Sequence, residues 1–270
     1  MKYKASTIVA IIVALSVLTF AGVQLGSYLY ARMDDAAVSD EMIAIADAPI
    51  DEASEAAQAA EIDADESLHE PELQNKLRNY TRRLFGRQAP GNSPISGNQT
   101  TKSLADAQRR RINFTALRRH NTHIVGWISV PNMPIDYPIL RANDNSFYLT
   151  RNAKRQRSSA GSIFLDSKAR TNFTSSDTIV YGHDMRDGSK FGTLNRFRNR
   201  TFRNRHQFIY VYTPTATRKY RVSTAWRTTA VNLTPDRSNR LTLTLVTCEG
   251  RGAHYVVRAV LVSTKRPGAK

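Results

Sequence analysis

An uncharged, mostly apolar stretch lies near the start of the chain. Residues 5–25, ASTIVAIIVALSVLTFAGVQL, contain no charged side chain, and an α-helix needs about 20 apolar residues to cross a bilayer. The pattern predicts a short cytoplasmic tip and a transmembrane helix within residues 1–30. Because Lys2 and Lys4 precede the apolar run, the charge bias favours a single pass through the cell membrane, with the rest of the chain outside. A cleaved signal peptide is the alternative, although the run is longer than an ordinary signal sequence requires.

Two polar stretches follow the apolar one. Residues 34–72 contain fourteen acidic side chains, no Lys or Arg and no aromatic residue. Such a composition cannot bury enough apolar surface to offset chain entropy, so residues 31–72 are predicted to form a disordered acidic spacer. Residues 73–104 join a basic amphipathic stretch to a break rich in Gly, Pro, Ser and Asn, which predicts a juxtamembrane stalk.

The remaining residues, 105–270, have the sequence pattern of a globular domain. After a helical stretch that ends in INFTALRRHN, short apolar runs alternate with turn residues: HIVGWISV, IDYPIL, GSIFLD, DTIVYGH, QFIYVYT, KYRVSTAW, LTLTLVTC and HYVVRAVLV. Eight short segments of this kind, without a long helix between them, are typical of a mostly β fold. We predict a closed β-barrel of about eight strands with short helices.

The charge of the chain is concentrated in this domain. The formal net charge is +16, yet only nine of the 23 acidic residues lie beyond position 72. A basic surface can bind nucleic acid, but no helix-turn-helix, RNP or zinc pattern accompanies it, and we expect no nucleic-acid partner. The same charge suits a protein beside an anionic membrane and anionic wall polymers. A membrane-tethered, non-catalytic module that binds such a polymer is therefore one candidate function.

The single cysteine, Cys248, ends an alternating strand pattern. In LTLTLVTC the residues Leu241, Leu243 and Leu245 fall on one face and Cys248 falls on the other. One cysteine cannot form an intramolecular disulfide. A lone Cys often packs in a core as a small hydrophobe, and at the end of a strand it can instead serve as a nucleophile.

His183 offers a partner for such a nucleophile. It lies in TIVYGHDMRDGSKFGTL, after a β-branched run and before a Gly-containing loop, so it is predicted at a strand end, where catalytic groups concentrate. Attack of a cysteine on an acyl carbon needs an imidazole to move protons, and a cation or N–H donors to stabilise the oxyanion.

Several ordered motifs resemble the sortases, and class B in particular. They are VGWISVPNMPIDYPIL, DNSFYL, AGSIFLD, IVYGHDMRDGSKFGTL and TLVTC, spread from about residue 121 to the C-terminus. The resemblance implies a sortase β-barrel and a cysteine transpeptidase, in which Cys248 forms a thioester and His183 transfers protons. It implies no metal or organic cofactor. The loop residues Asp184, Asp187, Ser189 and Lys190 match the class pattern and are expected to shape the loop behind His183.

The resemblance also implies the partners. The substrate would be a secreted protein with a C-terminal sorting signal. The acceptor would be an amine of a peptidoglycan precursor or, in pilus assembly, of a pilin, and the host would be Gram-positive. Water could resolve the thioester when the amine is absent, which would make the same site a hydrolase.

The chain departs from the class pattern in two places. The family places an arginine just before the apolar run of the last strand, where this chain has His254. We predict Arg251 as the oxyanion-stabilising or substrate-positioning cation, with His254 and Arg258 as alternatives. The second departure is the short connection TTAVNLTPDRSNR before the cysteine strand, where class B members usually carry a substantial helix. Its Pro and Asn residues argue against one here, so the recognised sorting sequence is left open.

Overall fold

The structure is a computed structural model, and it describes residues 5–51, 106–229, 240–250 and 252–266. For residues 5–12, 28 and 248–250 the description covers the backbone only. The predicted stalk, residues 73–104, lies outside the described residues, as do Arg251 and residues 52–72, the second half of the predicted spacer. These predictions therefore remain predictions.

The described residues include three complete α-helices, two 3₁₀ helices and eight strands, and residues 106–109 are also helical. The helices are α1 (Ala5–Ala46), α2 (Phe114–His120) and α3 (Arg200–Arg205), and the 3₁₀ helices are Phe147–Leu149 and Leu194–Arg198. The strands are β1 (Ile124–Val130), β2 (Ile135–Leu140), β3 (Ile163–Leu165), β4 (Asp177–Gly182), β5 (Phe208–Tyr212), β6 (Thr217–Thr228), β7 (Thr242–Gly250) and β8 (Ala253–Lys265). Each of the eight apolar runs in the sequence forms one of these strands.

The strands close into a barrel in the order β1-β2-β3-β4-β7-β8-β6-β5. The neighbours β2 and β3 run parallel, as do β4 and β7, and the other neighbouring pairs are antiparallel. This architecture confirms the predicted fold class.

The barrel interior is filled by alternate residues of the strands. On β7 the buried residues Leu243 and Leu245 belong to the central core, together with Val180 of β4 and Val257 and Ala259 of β8. Successive side chains of a strand point to opposite faces, so the positions between these residues belong to the outer surface of the barrel. Position 248 continues the outer series 242, 244 and 246.

The C-terminal half of helix α1 packs on the barrel, which corrects the prediction of a disordered spacer for residues 31–46. Val38, Met42 and Ala46, spaced by four residues, lie on one side of the helix and are buried in a second core cluster with Leu117 and Leu140. The acidic composition favours this packing because the domain supplies cations: Glu41 pairs with Lys154, and Asp47 with Arg110.

The N-terminal half of helix α1 is apolar and exposed. Large hydrophobic side chains from Val13 to Leu29 are about half or more exposed. By length and composition this helix could cross a membrane, a property that a signal sequence near an N-terminus shares.

Candidate active site

The register between β4 and β7 brings the two predicted catalytic positions together. In this parallel pair Tyr181 lies beside Val246, and Gly182 lies beside Thr247. His183 is the next residue after β4, and Cys248 is the next residue of β7, so the same register places them side by side. Neighbouring strands are separated by about 4.8 Å. The imidazole and thiol positions therefore share one end of the barrel.

Strand β8 flanks position 248 on its other side. Cys248 pairs directly with His254 in the antiparallel β7–β8 hairpin, and the register shifts between Cys248 and Gly250. Directly paired residues point to the same face of a sheet. Positions 183, 248 and 254 thus form a row across three adjacent strands, with the cysteine position in the middle.

The ring of His183 is oriented by the main chain of a distant loop. Its Nε2 lies 2.7 Å from the carbonyl oxygen of Leu149. A carbonyl oxygen only accepts hydrogen bonds, so Nε2 must carry the proton and donate it. Nδ1 is then the nitrogen that is left for proton exchange with a substrate or a thiol. Nothing in the sequence pattern pointed to Leu149, because its contribution is a backbone carbonyl.

The loop after His183 is closed by its own hydrogen bonds. The amide of Phe191 donates to the His183 carbonyl oxygen at 3.0 Å, and Asp184 pairs with Lys190 in an isolated antiparallel bridge. Asp187 Oδ1 accepts hydrogen bonds from the amide and the hydroxyl of Ser189, at 2.9 and 2.6 Å. Partial burial is the largest single effect on the pKa of the Asp187 carboxyl, and it acts to raise it. The hydrogen bonds from Ser189, together with the charge of Arg32 and its hydrogen bond, outweigh burial, so the pKa lies below its usual value. These contacts hold the backbone of His183 in a fixed position.

Arg258, one of the predicted alternatives for the third catalytic position, is engaged elsewhere. It pairs with Thr244 in the β7–β8 register, four residues and thus about 13 Å along the strand from Cys248. Its Nη2 lies 3.4 Å from Asp177 Oδ2, and its guanidinium lies 5.2 Å from the centre of the Trp226 ring. The structure therefore places Arg258 at the opposite end of β7 from Cys248.

The other two candidates for the third catalytic position are His254 and Arg251. His254 is half-buried and lies directly across from Cys248. Arg251 lies outside the described residues, as does most of the short connection between β6 and β7. Their roles remain predictions.

The closed eight-stranded barrel matches the sortase fold. The Sortase domain model matches residues 128–265, about half of the chain, and the chain belongs to the sortase family. The match confirms the resemblance seen in the sequence motifs.

Two curated relatives of the chain are both sortase B proteins. Residues of this chain are 42% identical to sortase B of Listeria monocytogenes over 86 residues, which cover 32% of this chain and 35% of that protein. They are 30% identical to sortase B of Staphylococcus aureus over 119 residues, covering 44% and 49%. The chain thus spans between a third and a half of the length of the curated relatives it matches. A solved structure of sortase B from B. anthracis, 32% identical, superposes with a TM-score of 0.53 over 57% of this chain and 85% of that one.

Proposed function

We propose that the protein is a membrane-anchored cysteine transpeptidase of the class B sortase type. The observation that carries this proposal is the parallel register of β4 and β7, which sets His183 beside Cys248 in a chain of the sortase family. A thiol beside an imidazole at the rim of a barrel fits acyl transfer.

In the first half of the reaction Cys248 is the nucleophile. Its thiolate attacks a backbone carbonyl in the sorting signal of a secreted protein, and a tetrahedral intermediate forms. The carbon–nitrogen bond then breaks, the departing amine takes a proton from the His183 imidazolium, and the acyl group remains on sulfur as a thioester.

In the second half an acceptor amine replaces the thiol. His183 takes a proton from the amine as it attacks the thioester carbon, an amide forms, and the thiolate leaves. One amide is broken and one is made, so the exchange requires no ATP. If water enters in place of the amine, the product is a carboxylic acid and the net reaction is hydrolysis.

The hydrogen bond to Leu149 assigns the two nitrogens of His183. Because Nε2 donates to the Leu149 carbonyl oxygen, proton transfer in both halves passes through Nδ1.

Arg251 remains the proposed cation for the developing oxyanion. It follows Cys248 by three residues in the sequence, and we propose that it lies near the sulfur. His254, directly across from Cys248, is the alternative donor, since a protonated imidazole can stabilise an oxyanion.

The proposed substrates are secreted proteins with a C-terminal sorting signal. The proposed acceptor is an amine of a peptidoglycan precursor or of a pilin. With the apolar half of helix α1 in the membrane, the barrel lies on the outer side, next to both partners. Its excess of Lys and Arg favours residence beside anionic lipids and wall polymers.

An acyl-transfer assay tests the proposal. The full chain in lipid nanodiscs is incubated with a library of peptides that end in sorting signals and with a peptide amine acceptor, and ligated products are identified by mass spectrometry. We expect wild type and His120→Ala, a change at an exposed site, to form product, and Cys248→Ala and His183→Ala to form none. Product from either of the last two variants would remove that residue from the mechanism.

A parallel set addresses the third position. Arg251→Ala and His254→Ala are assayed beside Arg258→Ala. We expect the largest loss of kcat at Arg251. An unchanged kcat at Arg251 with a large loss at His254 would reassign the role to His254.

A further inference from the structure

Helix α1, which carries the apolar N-terminal stretch, also contacts the loop that follows His183. Asp35 Oδ2 lies 3.1 Å from Lys190 Nζ, and only 9% and 6% of the two side chains are exposed. A buried ion pair is tolerated when further hydrogen bonds satisfy both charges. Here Asp35 accepts a hydrogen bond from Ser158 Oγ at 2.9 Å, and Lys190 donates one to Ser39 Oγ at 3.3 Å.

Lys190 lies where the loop returns to the barrel. Its φ of 52° is in the left-handed region, which a residue other than Gly adopts at a cost and keeps when surrounding contacts hold it. Its amide donates to the hydroxyl of Tyr137 at 3.1 Å. The next amide in the chain, that of Phe191, donates to the His183 carbonyl oxygen at 3.0 Å. The ion pair with Asp35 is thus one residue away from the hydrogen bond that closes the loop on His183.

A second ion pair joins the same two elements. Arg32 Nη2 lies 2.8 Å from Asp187 Oδ2, with side chains that are 45% and 18% exposed. Arg32, Asp35 and Ser39 recur at intervals of three and four residues, so they share one face of the helix. One face of α1 therefore holds both the middle and the end of the loop.

We propose that Asp35 and Lys190 are positioning residues for the reaction. Their ion pair ties helix α1 to the loop of residues 184–190 and thereby holds His183 in the orientation that Cys248 requires. The inference rests on the transpeptidase function proposed above. It makes the anchoring helix a part of the active-site scaffold.

The test uses full-length protein in nanodiscs and two isosteric or near-isosteric variants, Asp35→Asn and Lys190→Met. The matched control is Glu41→Gln, which removes the 2.5 Å pair with Lys154 on the same helix. We expect each of the first two variants to lower kcat about tenfold or more with little change in KM, because a misplaced proton donor acts on turnover. Glu41→Gln should retain the wild-type kcat.

Two further readouts separate positioning from general destabilisation. Hydrogen exchange measured by mass spectrometry should become faster in the loop segment 184–191 of Asp35→Asn and stay unchanged in β7. The double variant Asp35→Asn/Lys190→Met should be no slower than either single variant, since both remove one interaction. If Asp35→Asn does not fold, Arg32→Gln takes its place, with a smaller expected loss because its pair is more exposed.

Three outcomes would overturn the inference: an unchanged kcat in Asp35→Asn, an equal loss in Glu41→Gln, or loop exchange that does not respond. A failure of this inference can be distinguished from a failure of the proposed transpeptidase function. If wild type shows no acyl transfer, the function fails, and loop exchange alone then decides whether the helix holds the loop.

Discussion

Arg258 and His254 lie on the same strand but have different neighbours on β7. Both belong to the outward series of β8, yet His254 pairs with Cys248 and Arg258 pairs with Thr244. The arginine is therefore held by Asp177 at the far end of the strand. Strand register, and not residue type, decides which basic side chain lies beside Cys248.

This assignment predicts a structural role for Arg258. In Arg258→Met the Asp177 carboxylate stays almost fully buried but loses its ion pair with this guanidinium. Loss of one partner of a buried pair typically costs about 3 kcal/mol of the free energy of unfolding. We expect chemical denaturation to show a loss of this size, while kcat per folded molecule changes little. A collapse of kcat without loss of stability would contradict the assignment.

His206 provides a pH-dependent contribution to stability. Its ring stacks on Phe202 with centroids 4.2 Å apart. Burial lowers its pKa below the usual 6.5, and the nearby Arg196 and Arg205 act in the same direction. The folded state therefore favours the neutral ring, and this stability is complete above pH 6.5 and is lost as the pH falls through the lowered pKa.

We accordingly expect the free energy of unfolding to fall as the pH decreases below about 6.5. His206→Gln should flatten this dependence, and His120→Gln, at an exposed site, should not. Denaturant titrations at several pH values measure both. Equal slopes for wild type and His206→Gln would show that His206 does not carry the effect.

At the scale of elements, the loop between β4 and the second 3₁₀ helix depends on close backbone approach. A Cβ at Gly192 would lie 2.0 Å from the Met185 carbonyl oxygen, whereas at Gly188 it would lie 3.3 Å from the Thr193 methyl group. The first contact is with main chain that cannot move without opening the loop. The second leaves mainly the cost of a φ of +82°, about 1 kcal/mol for a residue with a Cβ.

Gly192→Ala should therefore lower kcat far more than Gly188→Ala. The physical reason is that an open loop displaces His183, while a strained loop keeps it in place. Steady-state kinetics and loop hydrogen exchange on both variants test this order. Equal kcat values for the two variants would contradict it.

The strands and their ends could be predicted from the sequence because the local pattern of apolar and turn residues determines them. Each short apolar run became a strand, and His183 and Cys248 were placed at strand ends from alternation and turn residues. The parallel pairing of β4 with β7 was not predictable from pattern, since it joins segments about 65 residues apart. The Leu149 carbonyl was missed for a related reason, because a backbone acceptor leaves no mark on residue type.

For the whole molecule, helix α1 joins the apolar N-terminal stretch to the barrel. Arg32, which contacts the active-site loop, follows Leu25 by seven residues, or about 10 Å of helix. With the apolar half of α1 in a bilayer, the catalytic end of the barrel would therefore lie close to the membrane surface. The prediction of a disordered spacer overlooked this because Val38, Met42 and Ala46 form too short an apolar stripe to stand out among acidic residues.

The packing of this helix predicts an effect of truncation. A chain that begins at residue 48 loses the buried Val38 and Met42 side chains, each worth about 1.5–3 kcal/mol, and the Asp35–Lys190 pair. Its Tm should lie several degrees below that of a chain that begins at residue 30, which should match the full protein in detergent. Equal Tm values for the two truncated chains in calorimetry would mean that the helix adds no stability.

We propose that Cys248 carries the acyl group between donor and acceptor. Intact-mass spectrometry of the full chain after mixing with sorting-signal peptides, without an amine acceptor, tests it most directly. We predict a mass increase equal to the acyl fragment, located on Cys248, released by hydroxylamine and absent in Cys248→Ala. Peptide cleavage by Cys248→Ala, or an adduct on another residue, would contradict the account.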